Sequence, residues 1–226
     1  MAASPRTKNI LILFYSLTGK TAMLAREVAA GAKAIPDTTV TIKRIPELIP
    51  PAFFKKNPAL QKQKTLLEKE FPLATVEDLV GADGIALGTP VHFGSFASQV
   101  KQFIDQLSPI WIEGKLVNKP VAVFCTSASL HAGEEVALVS LLVPLLNLGM
   151  IPVGIPYPIQ GGGDDFAGGS PYGAVWVTGH KGEKPLSTDD QKASRILGQR
   201  LAMMTQILIC DCEHCSACKS MSEKIV

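Results

Sequence analysis

The sequence predicts an α/β fold in which a parallel sheet is covered by helices on both faces, and three observations predict it. Four short runs are apolar on both sides of the strand alternation: residues 10–15 (ILILFY), 84–87 (GIAL), 121–125 (VAVFC) and 151–155 (IPVGI). Strands of this kind are buried on both faces, as they are in parallel sheets sandwiched by helices. Helical patterns separate these runs, so strands and helices alternate in the order of a doubly wound domain. The chain has 226 residues, 46% apolar and 19% charged, which is enough for one domain with a full core.

Each element has its own signal in chain order. After the first strand comes an Ala-rich helical stretch over residues 20–34. Residues 38–45 (TTVTIKRI) alternate polar and apolar, as an outer strand with one wetter face does. Residues 46–72 contain five prolines and several lysines, too long for an ordinary connection, and are expected to be a functional loop, an oligomer contact or a mobile surface loop. A short helix is expected at 76–80 before the third strand. Phe96, Val100, Phe103, Ile104 and Leu107 repeat at steps of three and four, as do Ala193, Ile196, Leu197, Leu201 and Met204 in the last helix. Residues 157–172 form a second Gly-rich insertion.

Between Glu135 and Asp164 no charge appears, and the apolar part of this stretch approaches the length of a membrane span. Pro144, Pro152, Pro156, Asn147 and Gly149 interrupt it, so a helix running into a buried strand fits better and no integral membrane segment is expected. The helix is apolar almost all round, from Val136 to Leu146. Its face turned away from the sheet is expected to meet another subunit. With 22 basic against 20 acidic residues the net charge is +2, which selects no nucleic acid partner. Residues 1–9 contain no apolar run of signal-peptide length, and a cytoplasmic location is the expectation.

The strongest functional signal is the turn after the first strand, Ser16-Leu17-Thr18-Gly19-Lys20-Thr21, followed at once by helical sequence. Small hydroxylated residues around a glycine at a helix N-terminus present backbone N–H groups and hydroxyls to a dianion. A nucleotide-hydrolysing P-loop needs glycine five residues before Gly19, where Phe14 stands. No G-x-G-x-x-G fingerprint follows the strand either, so the ligand is expected to end in a single phosphate. Open α/β sheets bind ligands beyond the C-terminal strand ends. The loops after the third and fourth strands should therefore complete the site. They are Gly88 to Ser95, with Pro90, Val91, His92, Phe93 and Gly94, and Thr126 to Gly133, with Ser127, Ala128, Ser129, Leu130 and His131. His92, Phe93 and Trp111 offer flat surfaces to a ring.

These segments resemble the flavodoxin-like WrbA family of NAD(P)H:quinone oxidoreductases. The likeness is carried by Ser16 to Thr21, GTPVHFG at 88–94, FIDQL at 103–107 with Trp111, GKLVNKP at 114–120, SASLHAG at 127–133 and GGSPYGA at 168–174, in the family's order and spacing. The resemblance implies a flavodoxin-like three-layer fold with a five-stranded parallel sheet in the order 2-1-3-4-5, in a domain spanning residues 8–206. It also implies FMN as cofactor, NAD(P)H as co-substrate, a quinone as the acceptor of two electrons, and a homotetramer. Ser16 to Thr21 would hold the FMN phosphate. Pro90 to Gly94 and Thr126 to His131 would line the isoalloxazine, with Asn147 near the ring or nicotinamide pocket. His92 and Trp111 are the catalytic candidates: His92 as a donor to a ring or quinone oxygen, Trp111 as a wall of the substrate pocket, within the chain or across a subunit boundary. His131 either touches the flavin or caps the following helix, and Tyr172 is a weaker pocket candidate.

Three positions depart from the family pattern: Thr18 where Tyr is common, His92 where Arg is common, and Asn147 where His is common. They keep open a second possibility, a noncatalytic flavin electron carrier or redox-responsive binding protein. Cys125 reads as a core residue. The tail, residues 207–226, carries Cys210, Cys212, Cys215 and Cys218 in C-x-C-x2-C-x2-C spacing, with His214 beside them. It is either a zinc or iron–sulfur site or a thiol-rich tail, and the spacing matches no common ferredoxin or paired-zinc pattern, so no metal is assigned.

Overall fold

Side-chain alternation along β1 (Lys8–Phe14) builds both halves of the core. Ile10, Ile12 and Phe14 turn to one side of the sheet, while Leu11 and Leu13 turn to the other together with Tyr15 just beyond the strand. The computed structural model describes residues 6–160 and 169–209. After β1 follow α1 (Lys20–Lys33), β2 (Thr38–Arg44), α2 (Pro51–Lys55), α3 (Pro58–Glu70), α4 (Val76–Gly81), β3 (Gly84–His92), β4 (Ser95–Phe96), α5 (Ser98–Asp105) and α6 (Ser108–Ile112). The chain continues through β5 (Pro120–Ser127), α7 (Glu134–Asn147), β6 (Ile151–Pro152), α8 (Tyr157–Gln160), β7 (Ala174–Val177) and α9 (Thr188–Leu208). Helices α1 and α9 cover the face of Ile10, Ile12 and Phe14, and α4, α5 and α7 cover the other.

The strand order is β2-β1-β3-β5-β6, all parallel, with β7 also parallel to β5 and the two-residue β4 antiparallel to the end of β3. β6 pairs with Pro120 and Val121, and β7 with Phe124 to Ser127, so the two short strands are halves of one edge strand. Counted that way, the sheet is the expected 2-1-3-4-5 arrangement. The expected fifth strand over 151–155 is corrected: only Ile151 and Pro152 lie in β6. The chain swings away at Gly154, where a Cβ would stand 2.1 Å from the carbonyl oxygen of Pro171, and Ile155 donates its N–H to that carbonyl at 3.1 Å. The missing side chain lets the returning segment approach and takes over the pairing.

A second correction concerns residues 46–72, which are not one long loop. Pro51 and Pro58 open α2 and α3, where a missing N–H costs nothing and the fixed φ suits the first turn. Phe71, just past α3, meets Phe14 edge to face with ring centroids 5.0 Å apart. The apolar stretch after Glu135 forms the 14-residue α7 with Pro144 inside it. Ala137, Leu138, Leu141 and Leu145 face the sheet, while Val136, Val139, Val143 and Leu146 are exposed. Among the described residues no helix is long and apolar enough to cross a membrane.

Helices α1 and α9 touch backbone to backbone. A Cβ on Gly198 would lie 1.9 Å from the carbonyl oxygen of Val28, and one on Gly31 would lie 2.0 Å from that of Arg195. Neither neighbour is a flexible side-chain tip, so the helices must separate to admit a methyl group. Gly198→Ala is expected to lower the unfolding free energy by about 1–3 kcal/mol despite the better helix propensity of alanine. An unchanged midpoint in urea titration would contradict this close packing.

Candidate functional site

Because β3 lies between β1 and β5, the loops leaving the C-terminal ends of these strands stand side by side. The first, from Tyr15 to Gly19, turns into α1 through Gly19 at φ +85°, and no side chain caps the helix. The first-turn N–H groups therefore point outward as free donors. Ser16 contributes a buried hydroxyl oxygen with no hydrogen-bond partner. Thr21 is buried and shares a 2.9 Å hydrogen bond with the hydroxyl of Thr126, which ties the first loop to the end of β5. Lys20 extends its ammonium over the ring of Trp176 in β7, 5.2 Å from the centroid. An uncapped helix start with an unsatisfied hydroxyl beside it matches what a phosphate monoester would complete.

The second loop is a tight hairpin. Val91 and His92 pair with Phe96 and Ser95, and Phe93 and Gly94 form a two-residue turn with φ of +52° and +74°. The hydroxyl of Thr89 pins its base, accepting from the Ala97 N–H and donating to the Pro90 carbonyl, both at 2.9 Å. The turn leaves His92 exposed and projects Phe93 fully into solvent. His92 is less basic than a free histidine: desolvation lowers its pKa, and the negative charge of Glu47 opposes that in part.

In the third loop Thr126 and Ser127 are buried, whereas Ala128, Ser129, Leu130 and His131 are exposed. The Ser127 hydroxyl donates to the buried carboxylate of Glu134 at 2.8 Å, and its carbonyl accepts from the Thr178 hydroxyl at 2.9 Å. His131, at φ +59°, leads into Gly133, which caps α7 at φ +92°. A Cβ on Gly133 would lie 2.7 Å from the Cα of Gly94, so the second and third loops meet backbone to backbone.

Ser16, Leu17, Thr18, Gly19, Lys20 and Thr21, then Pro90 to Gly94, then Thr126 to His131, are thus carried at one end of the sheet. Trp111 and Asn147 are not. The indole N–H of Trp111 donates to the Asn147 carbonyl at 3.0 Å, and the Asn147 amide donates to the Val143 carbonyl at 3.0 Å. Helix α7 runs back for 14 residues, about 21 Å at 1.5 Å per residue, and Ile151 then pairs with Pro120, the first residue of β5. Within one chain Asn147 therefore stands at the end of the sheet opposite the three loops and is not brought to them. Its spacing from the third loop did not reveal that the helix between them reverses direction.

Tyr172 is half-exposed in the turn before β7. Cys125 is buried, and burial, then the charge of Glu134, push its thiol far above the ordinary range, as befits a core residue. The four tail cysteines and the GGGDDFA segment lie outside the described residues, and among those described no group of His, Cys, Asp and Glu is placed to hold a metal. Two contributors carry no sequence signal at all. Glu47 and Gln99 meet Tyr15 immediately before Ser16, brought together by the end of β2 and the start of α5.

The NADPH-dependent FMN reductase family model matches residues 8–163. The chain belongs to this family. A protein of Solidesulfovibrio magneticus named NAD(P)H dehydrogenase (quinone) is 41% identical over 202 residues, covering 88% of this chain and 98% of that one. One of the same name from Geobacter sulfurreducens is 37% identical over 198 residues, covering 87% and 97%. Among solved structures, a WrbA-like flavodoxin from Agrobacterium tumefaciens superposes with a TM-score of 0.62 at 21% identity, covering 89% of this chain and 99% of that one, a likeness of fold.

The contact between the loops is open to direct test. Gly133→Ala combines a side chain at positive φ with a clash against Gly94, and is expected to cost about 1–3 kcal/mol. Hydrogen exchange should quicken at residues 92–96 as well as at the start of α7. Exchange confined to α7 would show that the loops do not support each other.

Proposed function

We propose that this chain binds FMN across its three adjacent loops and reduces quinones by two electrons at the expense of NAD(P)H. The observation that carries this reading is the uncapped start of α1 beside the buried, partnerless hydroxyl of Ser16. The names of its relatives, NAD(P)H dehydrogenase (quinone), at 41% and 37% identity, give it the reaction. FMN supplies the chemistry when bound, accepting a hydride from the nicotinamide and passing two electrons to the quinone.

The residues of the chain bind, orient and shield. The N–H groups at the start of α1, with the hydroxyls of Ser16, Thr18 and Thr21, hold the phosphate dianion. Thr21 is kept in place by its bond to Thr126. The backbones of Pro90 to Gly94 and Thr126 to His131 flank the ring, their glycines and small residues allowing close approach. His92, with its basicity lowered, is largely neutral at pH 7 and presents an N–H to an oxygen gaining negative charge. The domain spans residues 8–206, and the Cys-rich tail lies beyond it. A cytoplasmic location belongs to the same reading, because NAD(P)H is an intracellular reductant.

A homotetramer completes it. Trp111, 56% exposed, and Ile112, 78% exposed, stand at the end of the sheet remote from the chain's own loops, where Trp111 reaches the last residue of α7, a helix whose stripe Val136, Val139, Val143 and Leu146 is exposed. Burial of that stripe against a second copy would let Trp111 and Asn147 wall the pocket of a neighbour. The same separation favours the carrier reading if the chain is a monomer, since its ring would then lie open with no indole wall. A monomer mass in light scattering, together with NAD(P)H oxidation no faster than that of free FMN, would leave only the carrier.

Calorimetry of the flavin-free protein should show FMN binding. Ser16→Ala is expected to weaken it about tenfold, or 1.4 kcal/mol, while leaving the ligand-free protein as stable or more stable, because a buried unsatisfied hydroxyl is removed. Loss of ligand-free stability without loss of FMN affinity would mean that Ser16 serves the fold and not the phosphate.

A further inference from the structure

We infer that Glu47 is a positioning residue of the flavin site: through Tyr15 and Gln99 it fastens the loop that opens with Ser16 to the helix that follows the His92 hairpin. The inference deepens the FMN reading and rests on it.

The carboxylate gathers four donors. Its Oε2 accepts from the Tyr15 hydroxyl at 2.9 Å, and its Oε1 accepts from the Gln99 amide at 3.1 Å and from the N–H groups of Leu48 and Ile49 at 2.8 Å each. The Gln99 amide also donates to the Tyr15 oxygen at 3.0 Å, closing a triangle of three side chains. Tyr15 and Gln99 are buried, 2% and 4% exposed, so neither can turn to water instead.

The triangle joins three segments distant in sequence. Tyr15 is the residue before Ser16, Glu47 follows β2, and Gln99 lies in the first turn of α5, just after Ala97, whose N–H is held by Thr89 at the base of the His92 hairpin. A change in any corner moves the phosphate-side loop relative to the ring-side loop.

Among the described residues the carboxylate has no cationic partner. Burial, then the charge of Glu47, push the Tyr15 phenol far above its ordinary range, so Tyr15 remains a donor. Arg44, Lys64 and Glu68 line a small cavity with Glu47, but both cations turn to Glu68, at 3.9 and 2.5 Å. Among the described residues Glu47 forms no ion pair, and it is the charged group whose field raises the pKa of His92 against desolvation. The other histidine of the loop tips, His131, sits on the loop before α7.

The test uses Glu47→Gln and Tyr15→Phe in the full chain, read by FMN affinity and by NMR titration of His92 in the flavin-free protein. Glu47→Gln should bind FMN about tenfold more weakly and move the His92 midpoint to lower pH, because the attraction for the imidazolium is gone. Tyr15→Phe should weaken FMN binding while leaving the His92 midpoint where it was, since the carboxylate stays. An unmoved midpoint or an unchanged FMN affinity in Glu47→Gln overturns the inference. Should Glu47→Gln fail to fold, unchanged FMN affinity in Tyr15→Phe overturns it alone. Failure of the unaltered protein to bind FMN would sink the functional reading instead, and the His92 titration would still decide whether Glu47 acts on it.

Discussion

Burial of β3 between β1 and β5 is the constraint on which the other features depend. Each of these strands is apolar on both faces, so only a sheet covered on both sides can hold them. Once they are parallel and adjacent, the loops at their C-terminal ends are adjacent as well. Contacts too fine for the sheet to impose then draw the loops together: the hydroxyl pair of Thr21 and Thr126, and the backbone approach of Gly133 to Gly94. A side chain at Gly133, or a residue without a hydroxyl at Thr21, would leave the sheet intact and open the site.

Much of this was legible in the sequence because it depends on periodicity and composition, which are local. The both-face apolar runs gave four strand positions, and the helical spacing of Ala193, Ile196, Leu197 and Leu201 matches the inner face of α9. Small, hydroxylated and glycine-rich stretches after three of those strands marked the loops. Prolines misled over residues 46–72, since a proline that ends one helix and a proline that begins another look alike without their neighbours. The fifth strand misled for the opposite reason. Its break at Gly154 is decided by a carbonyl arriving from Pro171, seventeen residues on, which no local pattern reports.

Long-range polar pairing was the least legible part. Tyr15, Glu47 and Gln99 are spread over 84 residues, and each alone fits an ordinary role: the end of a strand, a solvated acid, a helix-surface amide. Trp111 and Asn147 show the same limit in reverse. The family resemblance puts both at a ring pocket, yet their placement depends on the direction in which α7 runs, and a single chain keeps them at the far end of the sheet.

The electrostatic layout of the loops favours orientation over neutralisation. A phosphate dianion at the start of α1 would meet N–H groups and hydroxyls, and the nearby ammonium of Lys20 is held over the ring of Trp176. The carboxylates near the other two loops, buried Glu134 at the start of α7 and half-buried Glu47 beyond β2, likewise accept from neutral donors. Neutral hydrogen bonds have stricter angular demands than a diffuse cation, so they fix the geometry of the loops.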